Sequence, residues 1–185
     1  MKGLVLLIIL VSGCSMESPT GYVVKEVECE VNVLSDSLVE EAIELGKIKD
    51  KNSILLDYLY PKYASDSVFV GVFTPYLKIA LADKDLSQDE INKILKDDIL
   101  FSVQLFGERE DFANNVKARI SLENGSLVPS LFLPQKKANL VDNGFKAYNQ
   151  YFFKDYEIFR NEVIEFILVY PDKEEEIVID MRGLK

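Results

Sequence analysis

Val116–Leu133 reads VKARISLENGSLVPSLFL, and its alternation decides the fold. Val116, Ala118, Ile120 and Leu122 fall on one side of an extended chain, and Lys117, Arg119 and Ser121 on the other. Side chains on a strand alternate with a period of two, so this is a strand with one buried face and one wet face. Asn124-Gly125 follows. Both residues tolerate positive φ, as a type I′ turn requires, so the segment predicts a hairpin. That turn chemistry also accounts for the Asn124-Gly125-Ser126 sequon. Leu127–Leu133 is then the return strand. Pro129 within it lacks an amide hydrogen and predicts a sheet edge.

The same pattern extends in both directions. Ile99, Phe101, Val103 and Leu105 alternate with Ser102 and Gln104. Val68–Phe73 is β-branched or aromatic on both faces, which predicts a central strand. Pro75 interrupts that run, implying a bulge, an edge or a break, and Tyr76–Ala82 resumes the apolar pattern. Val163–Tyr170 is a strand with Ile164, Phe166 and Leu168 on one face. Pro171–Glu174 is a turn, and Glu176–Asp180 pairs back as the last strand. Gln135–Gly144 is a polar loop. Near the start, Val27, Cys29, Val31 and Val33 oppose Glu26, Glu28, Glu30 and Asn32, so Val23–Leu34 is a half-buried strand.

Helical signals cluster in the first half. Ser37-Leu38-Val39-Glu40 has the capping-box pattern, Leu38, Ala42 and Leu45 follow at helical spacing, and Gly46 offers a C-cap. This predicts about two turns. Ser53–Tyr60 is a second helix, with Leu55, Leu56 and Leu59 inward, although Ile54–Tyr60 also fits a buried strand. Asp83–Asp89 places oxygen ligands on alternate residues, as a calcium loop does. It lacks the required Gly and Glu, because Gln88 and Ile94 stand at those positions. Ser87-Gln88-Asp89-Glu90 is instead a capping box opening a helix with Ile91, Ile94 and Leu95 as its stripe. The expected fold is a single α+β domain over residues 22–185. Seven or eight mostly antiparallel strands form a β-sandwich or twisted sheet, with two or three short helices in the first half.

Composition narrows the chemistry. The chain has 185 residues, with 21 Lys+Arg against 31 Asp+Glu, and a net charge of −10. An acidic surface argues against nucleic acid as a partner. There is no histidine, which removes Ser-His-Asp triads, Cys-His dyads and His-ligated zinc. Two cysteines exclude thiolate clusters and a disulfide scaffold. No phosphate loop, dinucleotide fingerprint or metal signature is present, so no catalytic residue, metal or cofactor is assigned.

Met1–Met16 reads MKGLVLLIILVSGCSM. Lys2 precedes the apolar run Gly3–Val11, which is too short to span a bilayer and right for a signal peptide. Val11-Ser12-Gly13-Cys14 resembles the lipobox of bacterial lipoproteins. The resemblance covers only this start of the chain. It implies cleavage between Gly13 and Cys14, and acylation of Cys14. Residues 1–13 would be removed and residues 14–21 would tether the domain, the seven residues after Cys14 reaching at most roughly 25 Å. Loss of Lys2 with the signal takes the net charge from −10 to −11. Anionic headgroups repel such a surface, so the acyl chains on Cys14 are the membrane attachment. Ser15 rather than Asp after the cysteine implies outer-membrane export in a two-membrane bacterium. Cys29 then has no intrachain disulfide partner, and its apolar face marks it as a small buried hydrophobe.

Phe145, Tyr148, Tyr151, Phe152, Phe153, Tyr156 and Phe159 lie close together. Most are expected to feed a core that lacks Trp. Tyr148 and Tyr151, beside Asn149 and Gln150, are the candidates for an exposed partner-binding surface. The expected function is a lipid-anchored envelope protein, a non-catalytic binding or assembly module for an envelope protein or polysaccharide. The alternatives are a surface or periplasmic enzyme using carboxylates, and a carrier of a small apolar ligand.

Overall fold

The computed structural model describes residues 34–58, 63–65, 68–82, 85–122, 125–154, 158, 161–182 and 184. The lipobox, all but Leu34 of the strand expected at Val23–Leu34, and Asn124 lie outside the described residues. The described chain is a single α+β domain in which ten short antiparallel strands form two sheets and the helices lie in the first half.

The larger sheet has the path β1 (Tyr63–Ser65), β2 (Val68–Phe73), β3 (Ile99–Gly107), β8 (Gly144–Phe153) and β6 (Leu131–Leu133); β7 (Asn139–Val141) also pairs with β8. The smaller sheet runs β10 (Glu174–Asp180), β9 (Val163–Val169), β4 (Lys117–Leu122) and β5 (Gly125–Leu127). The inner faces of the two sheets meet in one core. Val70, Phe101, Val103 and Tyr151 from the larger sheet pack with Ile120, Phe166 and Ile179 from the smaller. Phe101 stacks flat on Phe166, with ring centroids 5.0 Å apart. Phe153 meets the same ring edge-on at 6.4 Å. Stacked sheets lie about 10 Å apart, so large rings reaching from both sides fill the space between them.

Pro129 does more than mark one edge. The expected return strand Leu127–Leu133 is broken: Leu127 ends β5, which closes one edge of the smaller sheet, residues 128–130 lie in no strand, and β6 lies on an edge of the larger. The proline falls between them, where the chain changes sheets and needs no ladder hydrogen bond. The β4–β5 register pairs Leu122 with Gly125, so Gly125 opens β5 rather than completing the turn. Its φ of +151° keeps the position suited to glycine. The expected polar loop at 135–144 contains β7, which turns into β8 at Gly144.

Four helices form a second cluster around Leu34, Ala42, Ile54, Tyr76, Leu77, Ile79, Ala80, Ile91 and Leu95. α1 spans Asp36–Ile48, longer than expected at both ends. Ser35 rather than Ser37 precedes it, and the expected capping box does not form. Gly46 is not a cap but an interior residue, and its open side admits the backbone of α3 (Pro75–Ala80): a Cβ there would lie 2.6 Å from the Ala80 carbonyl oxygen. α2 is Lys51–Tyr58, with Asp50 accepting from the Ser53 amide at 3.0 Å and from its hydroxyl at 2.5 Å. Those bonds hold the Asp50 carboxyl below its usual range. Ile54 is the buried residue of α2, Leu55 is partly buried and Leu56 is exposed, which corrects the inward position expected of Leu56; Leu59 lies outside the described residues. Pro75 starts α3, where a missing amide hydrogen costs nothing, and the Thr74 side chain caps it. α4 (Gln88–Leu95) carries the expected capping box: Ser87 Oγ accepts from the Glu90 amide at 3.3 Å, and Glu90 Oε2 accepts from the Ser87 amide at 2.9 Å. Among the described residues, no helix is long and apolar enough to cross a membrane.

Candidate functional site

β8 divides the two candidate tyrosines. Residues on a strand that are an odd number apart point to opposite faces. Tyr148 faces outward and is 42% exposed, whereas Tyr151 is fully buried. Exposure was expected of both, and Tyr151 corrects that expectation. Its ring stacks on Phe132 at 4.9 Å and meets Phe166 edge-on at 6.0 Å. Its hydroxyl donates to the Val116 carbonyl at 2.6 Å and accepts from Asn149 Nδ2 at 3.2 Å. Burial pushes the phenol's pKa well up.

Asn149, also fully buried, extends this network. Its Nδ2 donates to the Ala113 carbonyl at 2.8 Å, and its Oδ1 accepts from the Gln135 amide at 3.1 Å. Gln135 Oε1 in turn accepts from the Tyr148 amide at 3.0 Å, bridging the stretch of β8 edge between β6 and β7. The network pins the one-turn 3₁₀ helix Phe112–Asn115 and the 134–138 connection onto β8. The side-chain oxygen and nitrogen of Asn149 and the Tyr151 hydroxyl all find partners, so the network is a structural clamp that sets the register of the strand bearing Tyr148.

Around Tyr148, the outer face of the larger sheet follows directly from the strand register. One row is Phe73–Leu100–Phe152–Leu131, the next Gly71–Ser102–Gln150–Leu133, the next Phe69–Gln104–Tyr148, and the last Phe106–Lys146. Lys146 is the only charged residue in these rows, and none is acidic. Its Nζ lies 5.6 Å from the centre of the Tyr148 ring. Phe69 and Phe106 meet edge-on at 6.3 Å. Leu131 and Leu133 are nearly half exposed. The helical cluster packs against this face at Phe73.

The outer face of the smaller sheet is the opposite. Its rows are Lys117–Val169–Glu174, Arg119–Ile167–Glu176 and Ser121–Glu165–Val178. Arg119 and Glu174 pair at 2.7 Å. Alternating charge of this kind is ordinary solvated surface.

Two other places gather polar and apolar side chains. An open groove of about 340 Å³ runs between α1 and α3, lined by Ile43, Gly46, Lys47, Ile79, Ala80, Ala82, Asp85 and Leu86. It lies within the helical cluster, not between sheet and helices as an apolar carrier pocket would. At the β9–β10 turn, Lys173 Nζ sits 4.8 Å from the Tyr170 ring centre and 3.6 Å from Glu175. Burial, and then the Glu175 charge, push the Tyr170 phenol up. A catalytic base or nucleophile needs the reverse shift. No group of three potential metal ligands occurs among the described residues.

The described residues thus form an α+β sandwich with one charged outer face and one aromatic outer face whose described rows hold no acid. Scans of protein-family models, curated proteins and solved structures return no match to the chain. The sequence pointed to Tyr148 but missed Phe69, Gln104, Phe106, Leu131, Leu133 and Gln150 beside it. Apolar residues on both faces of β2 and β8 were the available signal.

Proposed function

We propose that the chain is a lipid-anchored envelope protein that acts as a non-catalytic binding module, with the outer face of the larger sheet as its recognition surface. The charge asymmetry of the two sheet faces carries this reading. A chain of net charge −10 has acids to spare, yet the rows around Tyr148 contain none. A wholly solvated strand face is typically polar, as on the smaller sheet, whereas contiguous apolar patches of a few hundred Å² typically mark interaction sites. The Val11–Cys14 lipobox supports the anchor, and the short tether after it would hold the domain near the bilayer.

Site-specific photo-crosslinking in native membranes tests the assignment. A photoreactive residue at Tyr148 should give discrete adducts, and one at Val178 on the charged face should not. Identical adduct patterns at the two positions, or none at Tyr148, would overturn it.

A further inference from the structure

We infer that the occupant of this face is a neutral oligosaccharide; the inference rests on the recognition surface proposed above and names its ligand class. Charge supplies the first argument. An anionic polymer requires several basic groups and a cationic one requires acids, but among the described residues these rows offer Lys146 alone. Its partner is therefore uncharged.

Side-chain chemistry supplies the second argument. Ser102, Gln104 and Gln150 stand outward among the rings, and their side chains have no hydrogen-bond partner among the described residues. An amide carries both donors and an acceptor, and a hydroxyl does the same on a smaller scale. Sugar hydroxyls match both. The C–H faces of a pyranose ring match the aromatic surface of Tyr148. A purely apolar partner would leave those two amides desolvated and unpaired, which costs affinity.

Area supplies the third. At strand spacings of about 4.8 Å, and about 6.7 Å between residues on one face, the thirteen residues of these rows cover roughly 420 Å². A stable protein–protein interface needs about 800 Å² from each partner. Among the described residues the face is smaller than a durable dimer of this acidic chain needs and wide enough for a short glycan laid across β3, β8 and β6.

Calorimetric titration of the full chain in lipid nanodiscs tests this, with cellohexaose, maltohexaose and fully N-acetylated chitohexaose as neutral probes and an oligogalacturonate as the acidic control. At least one neutral probe should bind, and the acidic control should not. The Gln104→Ala/Gln150→Ala variant should bind roughly tenfold more weakly or worse while melting at the same temperature, because both side chains face outward. Lys117→Ala on the charged face should bind normally. Failure of every neutral probe, preference for the acidic control, or full affinity in the double variant would overturn the inference. Self-association lost in the double variant would assign the face to a second copy, and vesicle binding lost in it would assign the face to lipid; either result overturns the inference. A discrete protein adduct at Tyr148 with no saccharide binding defeats the inference alone. Absence of both adduct and saccharide binding defeats the recognition surface as well.

Discussion

Replacing Tyr151 with Phe removes one oxygen from the centre of the molecule and nothing else. The ring keeps its stack on Phe132 and its edge contact with Phe166. Lost are the 2.6 Å bond to the Val116 carbonyl and the 3.2 Å bond from Asn149 Nδ2. Asn149 Nδ2 retains the Ala113 carbonyl at 2.8 Å, so only the Val116 bond is lost without a substitute within the network. Removing one partner of a buried hydrogen bond costs about 1–3 kcal/mol. For a chain of this length each kcal/mol lowers Tm by about 2–4 °C, so the variant should melt roughly 2–12 °C below the parent. Thermal denaturation followed by circular dichroism gives the value. Tyr148→Ser, three residues away on the opposite face, should stay within about 0.5 kcal/mol. A Tyr151→Phe protein that melts with the parent, or a Tyr148→Ser protein that melts far below it, would refute the placement of the two side chains.

Other outcomes follow from the same geometry. The folded pKa values of Tyr151 and Tyr170 are raised, so the stability they contribute is complete below the unfolded value of about 10 and is lost as pH rises beyond it. Urea titrations at about pH 8 and about pH 11 should show that loss, and it should be smaller in Tyr151→Phe. Gly46→Ala should destabilise by about 1–3 kcal/mol despite better helix propensity, because the new Cβ meets the Ala80 carbonyl of α3; a urea midpoint at or above that of the parent would contradict the close approach. Ser87→Ala should lower stability by about 0.5–2 kcal/mol through loss of the α4 cap, read from the same titration. Cys14→Ala should abolish metabolic labelling with a clickable fatty acid and leave an uncleaved precursor, with retained label counting against the lipobox assignment.

Period-two alternation is a local property of the backbone, so the inward residues of β3, β4 and β9 were readable without any partner strand. The Ser87–Glu90 capping box was readable for the same reason: both of its hydrogen bonds close within four residues. The resemblance at Cys14 is equally local. Position in space was not local. Gly46 had the chemistry of a helix end, and only the approach of α3 made it an interior contact. Pro129 was legible as an edge residue, but the switch between sheets depended on which strands were free to accept β5 and β6. The Tyr148–Tyr151 pair shows the boundary within one segment. Once β8 is a continuous strand, a spacing of three forces the rings apart. Which ring enters the core was then decided by Phe132, Phe166 and Val116, brought to it by the packing of two sheets. The acid-free face has the same origin: its rows are drawn from residues as distant in sequence as Phe69 and Tyr148, and only antiparallel registration makes them neighbours.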